Sequence, residues 1–413
     1  MRPEALEARR AIEALRSGVP SRAVVEQLGT THTAVEDAFR TALEQVKAGE
    51  SAEPVGCVAP FGQGKTHLII HLRALAEREG FATSHVVVSP ETPLGNPVAV
   101  LSEICRNASV EGRVGDALSE LHPSARTNTR EWAELRLWAR EAGITQRFQA
   151  LMYLFEELTA DVDFLVRILE DIQGKPISQA DIRRQLKALG QSSAYDLRGT
   201  PRKAALAPQR IRVLARWFRA FGRHGLIVFF DELERLGSFS AKQRMAAYEQ
   251  VAWWCETARE EGAALLPVWF STHDLDIVRD RDLTAIRTAI WDDVPPDAAR
   301  SSMRQLLSQS PRWRGWEALS RLQPLDPLTR EELRALQARM AELYERAYGM
   351  DGLADLQVQY QPDTVRQEIR RWIAYWDMQR LYSDYVPDIR VGEVETIIED
   401  EWNDEFVTTT DED

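Results

Sequence analysis

The feature that most constrains this chain is Ala59-Pro60-Phe61-Gly62-Gln63-Gly64-Lys65-Thr66-His67, set between the short run VGCV and the helical pattern HLIIHLRALAERE. A phosphate-binding loop curls backbone N–H groups round anionic oxygens at a helix N-terminus, where the helix dipole also favours negative charge. The pattern G-x-x-x-x-G-K-[ST] describes such a loop. Gly62 and Gly64 serve where the backbone must turn with positive φ or approach phosphate closely, Lys65 can reach the β and γ phosphates, and Thr66 can place a hydroxyl on Mg²⁺. Ala59 stands where the pattern has its first glycine. Alanine is the smallest residue with a Cβ and serves at a strand exit if φ stays negative, and Pro60 favours that by pushing Ala59 towards extended geometry. We therefore expect Pro60, Phe61, Gly62, Gln63, Gly64, Lys65, Thr66 and His67 to form the nucleotide-contacting run. The His67 side chain reads as helix-facing rather than as a ligand.

Around the loop the chain has the grammar of a parallel sheet. VGCVA at 55–59, SHVVVS at 84–89, LIVFF at 226–230 and ALLPVWFST at 264–272 are β-branched or apolar runs separated by helical patterns, so strand, helix and strand alternate with right-handed crossovers. This predicts an α/β fold, a P-loop NTPase core assembled from 49–96 and 225–325. Residues 1–48 read as a small helical unit, 97–224 as an almost wholly helical insertion, 326–385 as a helical lid and 386–413 as an acidic tail. Thr329 and the acids after it mark a helix start. There is no internal repeat.

LIVFFDE at 226–232 supplies what the loop needs downstream. An apolar strand ending in two acids places Asp231 beside Mg²⁺ and Glu232 where an attacking water would sit, as general base. The next strand ends in Ser271-Thr272, the position of a γ-phosphate sensor.

Composition excludes several classes. No apolar run approaches the roughly 18–20 residues that span a bilayer, and the N-terminus mixes acids and bases unlike a secretory signal; we expect a cytoplasmic protein. Cys57, Cys105 and Cys255 are far apart and suggest neither disulfides nor zinc. Trp132, Trp138, Trp253 and Trp254 sit at helical spacing, which favours core over base stacking. The net charge is −13 over 413 residues, yet ten acids and no Lys or Arg lie in 391–413, whereas 175–223 holds twelve Lys or Arg against Asp181 and Asp196. That local charge of about +10 would attract a DNA backbone, and ISQADIRRQLKALGQSS has the length and turn of a helix-turn-helix fragment. The same charge suits a solvated face packed on the core or on an acidic partner, and both readings stay open. SRAVVEQLGTTHTAVEDAFR also scans as helix-turn-helix, but seven bases balance seven acids over residues 1–47, which favours a packing or interaction module. The tail reads as a solubilising terminus, or as a segment docking on the 175–223 stretch to limit DNA access.

Several long segments resemble the BrxD-type ATP-binding proteins of BREX anti-phage clusters, P-loop ATPases of AAA+ type. They are RRAIEALRSGVPSRAVVEQLG, PFGQGKTHLIIHLR, HVVVSPETPLGNP, ISQADIRRQLKALG, GLIVFFDELERL and RLQPLDPLTREELRALQARMAELYERAYG. The resemblance covers most of residues 8–380 and departs from the family pattern at Ala59. It implies ATP and Mg²⁺ as ligands, Lys65 and Thr66 for phosphate and metal, Asp231 for Mg²⁺, Glu232 for water activation, and Thr272 or Ser271 as first sensor. In TVRQEIRRWIAYWD it puts Arg366 at the position of a second-sensor arginine, whose permanently charged fork can neutralise the γ-phosphate; the alternative is a surface arginine on an amphipathic helix. It also implies other BREX proteins as partners and a role in phage defence. Such sites often take an arginine from a neighbouring subunit, which points to a homo-oligomer. Two rival outputs remain, a nucleotide-gated scaffold with little turnover and a DNA-binding regulator with a structural ATPase core.

Overall fold

The computed structural model describes residues 3–18, 21–121, 127–199, 202–292, 303–353 and 364–382. The expected acidic tail, 386–413, lies outside the described residues. In chain order the elements are α1 (Pro3–Arg16), α2 (Arg22–Leu28), α3 (Thr33–Ala48), β1 (Val55–Val58), α4 (Lys65–Arg78), β2 (Ala82–Val87), α5 (Pro97–Asn107) and α6 (Arg130–Glu141). Next come α7 (Gln146–Glu157), α8 (Val162–Ile172), α9 (Gln179–Ala188), α10 (Lys203–Ala220), β3 (Leu226–Asp231), α11 (Ala241–Ala258), β4 (Leu265–Ser271) and α12 (Asp274–Asp292). The chain then forms α13 (Met303–Gln309), α14 (Pro311–Ser320), β5 (Gln323–Pro324), α15 (Arg330–Tyr348) and α16 (Val365–Leu381).

The strands form one five-stranded parallel sheet in the order β2-β3-β4-β1-β5. β3 is buried along its whole length, and its alternation divides two hydrophobic layers. Leu226, Val228 and Phe230 join α5, α10 and α11 on one face, while Ile227 and Phe229 join α3 and α4 on the other. Aromatic contacts fix both sides. Phe230 stacks on Trp269 at 4.6 Å and meets Trp254 edge-on at 5.0 Å, and Phe229 lies 5.8 Å from Phe39 of α3.

The order carries a functional consequence. After β1 the chain crosses to the far edge, and β4 later returns between β3 and β1, so the carboxyl ends of β1, β4 and β3 lie side by side. Open parallel sheets bind ligands in the crevice at such a reversal.

Helices α6 to α10 share the core of the β3 face instead of forming a core of their own, with Trp132 edge-on to Trp217 at 5.1 Å. Inside it the fully buried Asp171 takes hydrogen bonds from Arg210 (3.0 Å) and from the amide of Ile177 (2.7 Å) and pairs with Arg147. Buried charges are tolerated only when paired in this manner.

The N-terminal helices divide between two cores. Ile12, Leu15, Val24 and Leu28 of α1 and α2 pack with Leu336, Met340, Trp372 and Trp376 of α15 and α16, whereas α3 lies on the sheet. Arg16 of α1 is bonded to Asp377 of α16 at 2.8 Å. Among the described residues no helix is long and apolar enough to cross a membrane.

Candidate nucleotide site

β1 delivers Ala59, which is fully buried and donates its N–H to the carbonyl of Ser271 at 3.1 Å. Among the described residues the non-glycine positions with positive φ are Glu232 and Ala264, so the alanine at the first motif position keeps the negative φ that its Cβ requires. Gly62 and Gly64 have φ of 81° and 94°. Gly64 caps α4, and Lys65, Thr66 and His67 of its first turn line the cleft, where a helix start offers N–H groups without intrahelical partners. The Lys65 ammonium donates to the carbonyls of Ala59 (2.7 Å) and Pro60 (3.2 Å). Burial pushes its pKa below the usual lysine value, and the negative charges of Glu234 and Asp231 oppose that shift.

The tip of β3 supplies acids in three directions. Asp231 accepts the amide of Glu232 at 2.8 Å and has His85 of β2 beside it at 3.5 Å. Glu232 sits at φ 60°, a left-handed conformation costly for a residue with a Cβ, and its carboxylate pairs with Arg235. Strain of this kind concentrates at functional sites. Glu234 crosses to β4, where one of its oxygens accepts both the Ser271 hydroxyl and the Thr272 amide at 3.0 Å. Thr272 lines the cleft and its hydroxyl donates to Asp274 at 3.2 Å, whereas Ser271 is fully buried and occupied by Glu234. Of the two sensor candidates, Thr272 alone faces the cleft.

The start of α16, α15 and the N-terminal helices close the other side. Thr364, which caps α16, lies so near Gly62 that a Cβ there would meet its Cβ at 2.9 Å. The Arg366 amide donates to the Gly62 carbonyl at 3.3 Å, and its guanidinium lies 5.0 Å from the ring of Phe61, itself 73% exposed. His67 bonds through Nε2 to the Gly29 carbonyl at 2.6 Å, as a helix-facing residue would, and burial lowers its pKa. Together the loop from Phe61 to His67, Asp231, Glu232, Glu234, Thr272, the turn from Gly29 to His32, and Leu15, Leu28, Leu328, Leu336, Arg339, Val365, Arg366 and Ile369 line a cleft. It holds about 1200 Å³ of empty space, part of it open to solvent.

Every expected site residue from Phe61 to His67, with Asp231, Glu232, Thr272 and Arg366, lines this cleft; Pro60 contributes its carbonyl to Lys65. Sequence reasoning missed Glu234, Arg339 and the Gly29–His32 turn. The alternation Asp231-Glu232-Leu233-Glu234 was the available signal for the first. Among the described residues no group of three or more His, Cys, Asp or Glu forms a ready metal cage.

Residues 4–122 match the family model described as BREX system ATP-binding protein BrxC/D. The BrxC/D match takes in the N-terminal helices, β1, the glycine-rich loop, α4, β2 and α5, less than half of the chain, and does not single out the BrxD branch. No curated protein and no solved structure matches the chain.

The basic stretch 175–223 is largely occupied within the fold. Lys175, Arg184, Arg198, Arg210, Arg212 and Arg223 form ion pairs with Glu170, Asp181, Asp196, Asp171, Glu260 and Glu120. Arg183, Arg216 and Arg219 donate to backbone carbonyls. Cys57, Cys105 and Cys255 are free thiols pushed up to about 12 by burial.

Proposed function

We propose that this chain binds ATP with Mg²⁺ in the cleft and hydrolyses it, as a P-loop ATPase of AAA+ type serving BREX anti-phage defence. One observation carries the reading: three adjacent strand ends bring Lys65 and Thr66, Asp231 and Glu232, and Thr272 to a single cleft. The amides of the loop and the first turn of α4 would cradle the phosphates, and Lys65 would exchange its carbonyl partners for phosphate oxygens. Thr66 and Asp231 fit Mg²⁺, which favours one or two protein oxygens completed by phosphates and waters; when bound it neutralises charge on the β and γ phosphates. The apolar side formed by Leu15, Leu28, Leu328, Leu336, Val365 and Ile369 suits the base. Glu232 would take a proton from water as its oxygen attacks the γ-phosphorus and the bond to the bridging oxygen breaks, with Thr272 and Arg366 stabilising the charge that develops.

We read the organisation as an ATPase core (49–96 and 225–325), a helical insertion, and a lid to which α1 and α2 are fastened. Other BREX proteins are the proposed partners, a homo-oligomer in the cytoplasm the proposed active form. Coupling to DNA through 175–223 would draw on the charge left after Glu170, Asp171, Glu260 and Glu120, four acids from outside the stretch, pair with Lys175, Arg210, Arg212 and Arg223. A second reading, a nucleotide-gated scaffold with slow turnover, has an observation in its favour: Glu232 is paired with Arg235 and Arg366 rests on Phe61.

Phosphate release from Mg-ATP by the wild type, Glu232→Gln and Lys65→Ala, with and without duplex DNA, tests the proposal. Turnover abolished by either substitution is expected. Release that is absent, or indifferent to Glu232→Gln, overturns the catalytic reading, and stimulation by DNA that fades with salt would restore the electrostatic one.

A further inference from the structure

We propose that Glu234 is a positioning residue for the hydrolytic reaction: it holds the end of β4 so that Thr272 faces the reacting phosphate. The inference rests on the ATPase reading and deepens it. The positive φ at Glu232 turns the chain sharply after β3, and the next turn, Leu233–Ser238, is anchored by Leu233 and Leu236, both fully buried. Glu234 lies between these anchors and reaches back across the sheet end. Its Oε2 accepts two donors from the last residue of β4 and the residue after it, the Ser271 hydroxyl and the Thr272 amide, each at 3.0 Å.

Hydrogen bonds to a carboxylate are roughly twice as strong as neutral ones, and this pair ties the strand that carries the proposed base to the strand that carries the proposed sensor. Without Glu234, the fully buried Ser271 hydroxyl would lose its acceptor, and a buried donor left unpaired moves to find a partner. Such movement would displace the adjoining residue, Thr272. Glu234 also contributes to the wall of the cleft that Lys65 and Thr272 line. It therefore borders the space that a γ-phosphate would fill. With Oε2 engaged by two donors at the end of β4, it is placed to orient Thr272.

The test is steady-state phosphate release from Mg-ATP by the full chain carrying Glu234→Ala, Glu234→Gln, Thr272→Val, or Glu234→Ala with Thr272→Val, each first shown to melt cooperatively. Glu234→Ala should lower kcat roughly 10- to 100-fold, the size of effect when an outer-shell partner is removed, with KM changed by less than about threefold. Glu234→Gln keeps an acceptor oxygen and should recover most of the loss. The double variant should be no slower than the worse single one, because Glu234 acts through Thr272. A normal kcat in Glu234→Ala, additive losses in the double variant, or a Glu234→Gln as inactive as Glu232→Gln overturns the proposal. A wild type that releases no phosphate overturns the ATPase reading together with it, whereas an active wild type beside an unimpaired Glu234→Ala overturns this inference alone.

Discussion

Restoring the first motif glycine, Ala59→Gly, separates a site that tolerates alanine from one that alanine has impaired. The Ala59 methyl group is fully buried beside the sheet, and its removal forfeits about 0.8 kcal/mol of burial. The added freedom of glycine costs a further 0.5–1 kcal/mol or so. The substitution should therefore destabilise the nucleotide-free protein by about 1–2 kcal/mol. Its effect on nucleotide should be small, because Ala59 already has the φ it needs and donates its amide to Ser271 at 3.1 Å, leaving no N–H for phosphate. Calorimetric titration with Mg-ATP, beside a thermal melt without nucleotide, should show a lower Tm and a Kd within about threefold of wild type. Glycine that tightens binding more than about tenfold, a gain of about 1.4 kcal/mol, would mean that the bound loop strains against the alanine Cβ, and the argument from φ would be refuted.

Two further perturbations follow from the same geometry. Gly62→Ala places a Cβ at φ 81° and 2.9 Å from Thr364; left-handed backbone alone costs about 1–2 kcal/mol, so the nucleotide-free protein should lose at least about that much stability in urea denaturation. Adding Thr364→Gly should return part of that loss by removing the contact, and no recovery would show that the lid does not press on the loop. Asp171→Ala leaves Arg147 and Arg210 facing each other in the core and should cost about 3–5 kcal/mol by urea denaturation, the usual result of breaking a buried pair. A loss below about 1 kcal/mol would mean that water or another acceptor reaches the arginines.

How much of this was legible in the sequence follows from the range over which each feature is encoded. The glycine-rich loop and the acid-tipped strand are local: glycine φ, a helix start and a run of buried residues are properties of neighbouring positions, so the chain alone singles out Gly62, Gly64, Lys65, Asp231 and Glu232, which line one cleft. Amphipathic patterns show that a helix has an apolar face, but not what covers it. The pattern of residues 1–48 suggests a separate helical unit, whereas Arg16 finds Asp377, 361 positions away, and α1 and α2 share a core with α15 and α16. The partners of the basic stretch 175–223 were hidden for the same reason, since Glu120, Asp171 and Glu260 come from outside the segment. Glu234 is the sharpest case. It lies two residues past a legible acid, yet only the placement of β3 against β4 reveals that its oxygen meets the strand end bearing Thr272. A motif names the residues that touch the ligand, and strand order determines which others hold them in place. In this chain the insertion of β4 between β1 and β3 makes the link between Glu234 and Thr272 possible, because it is β4, and not β1, that borders the acid-tipped strand.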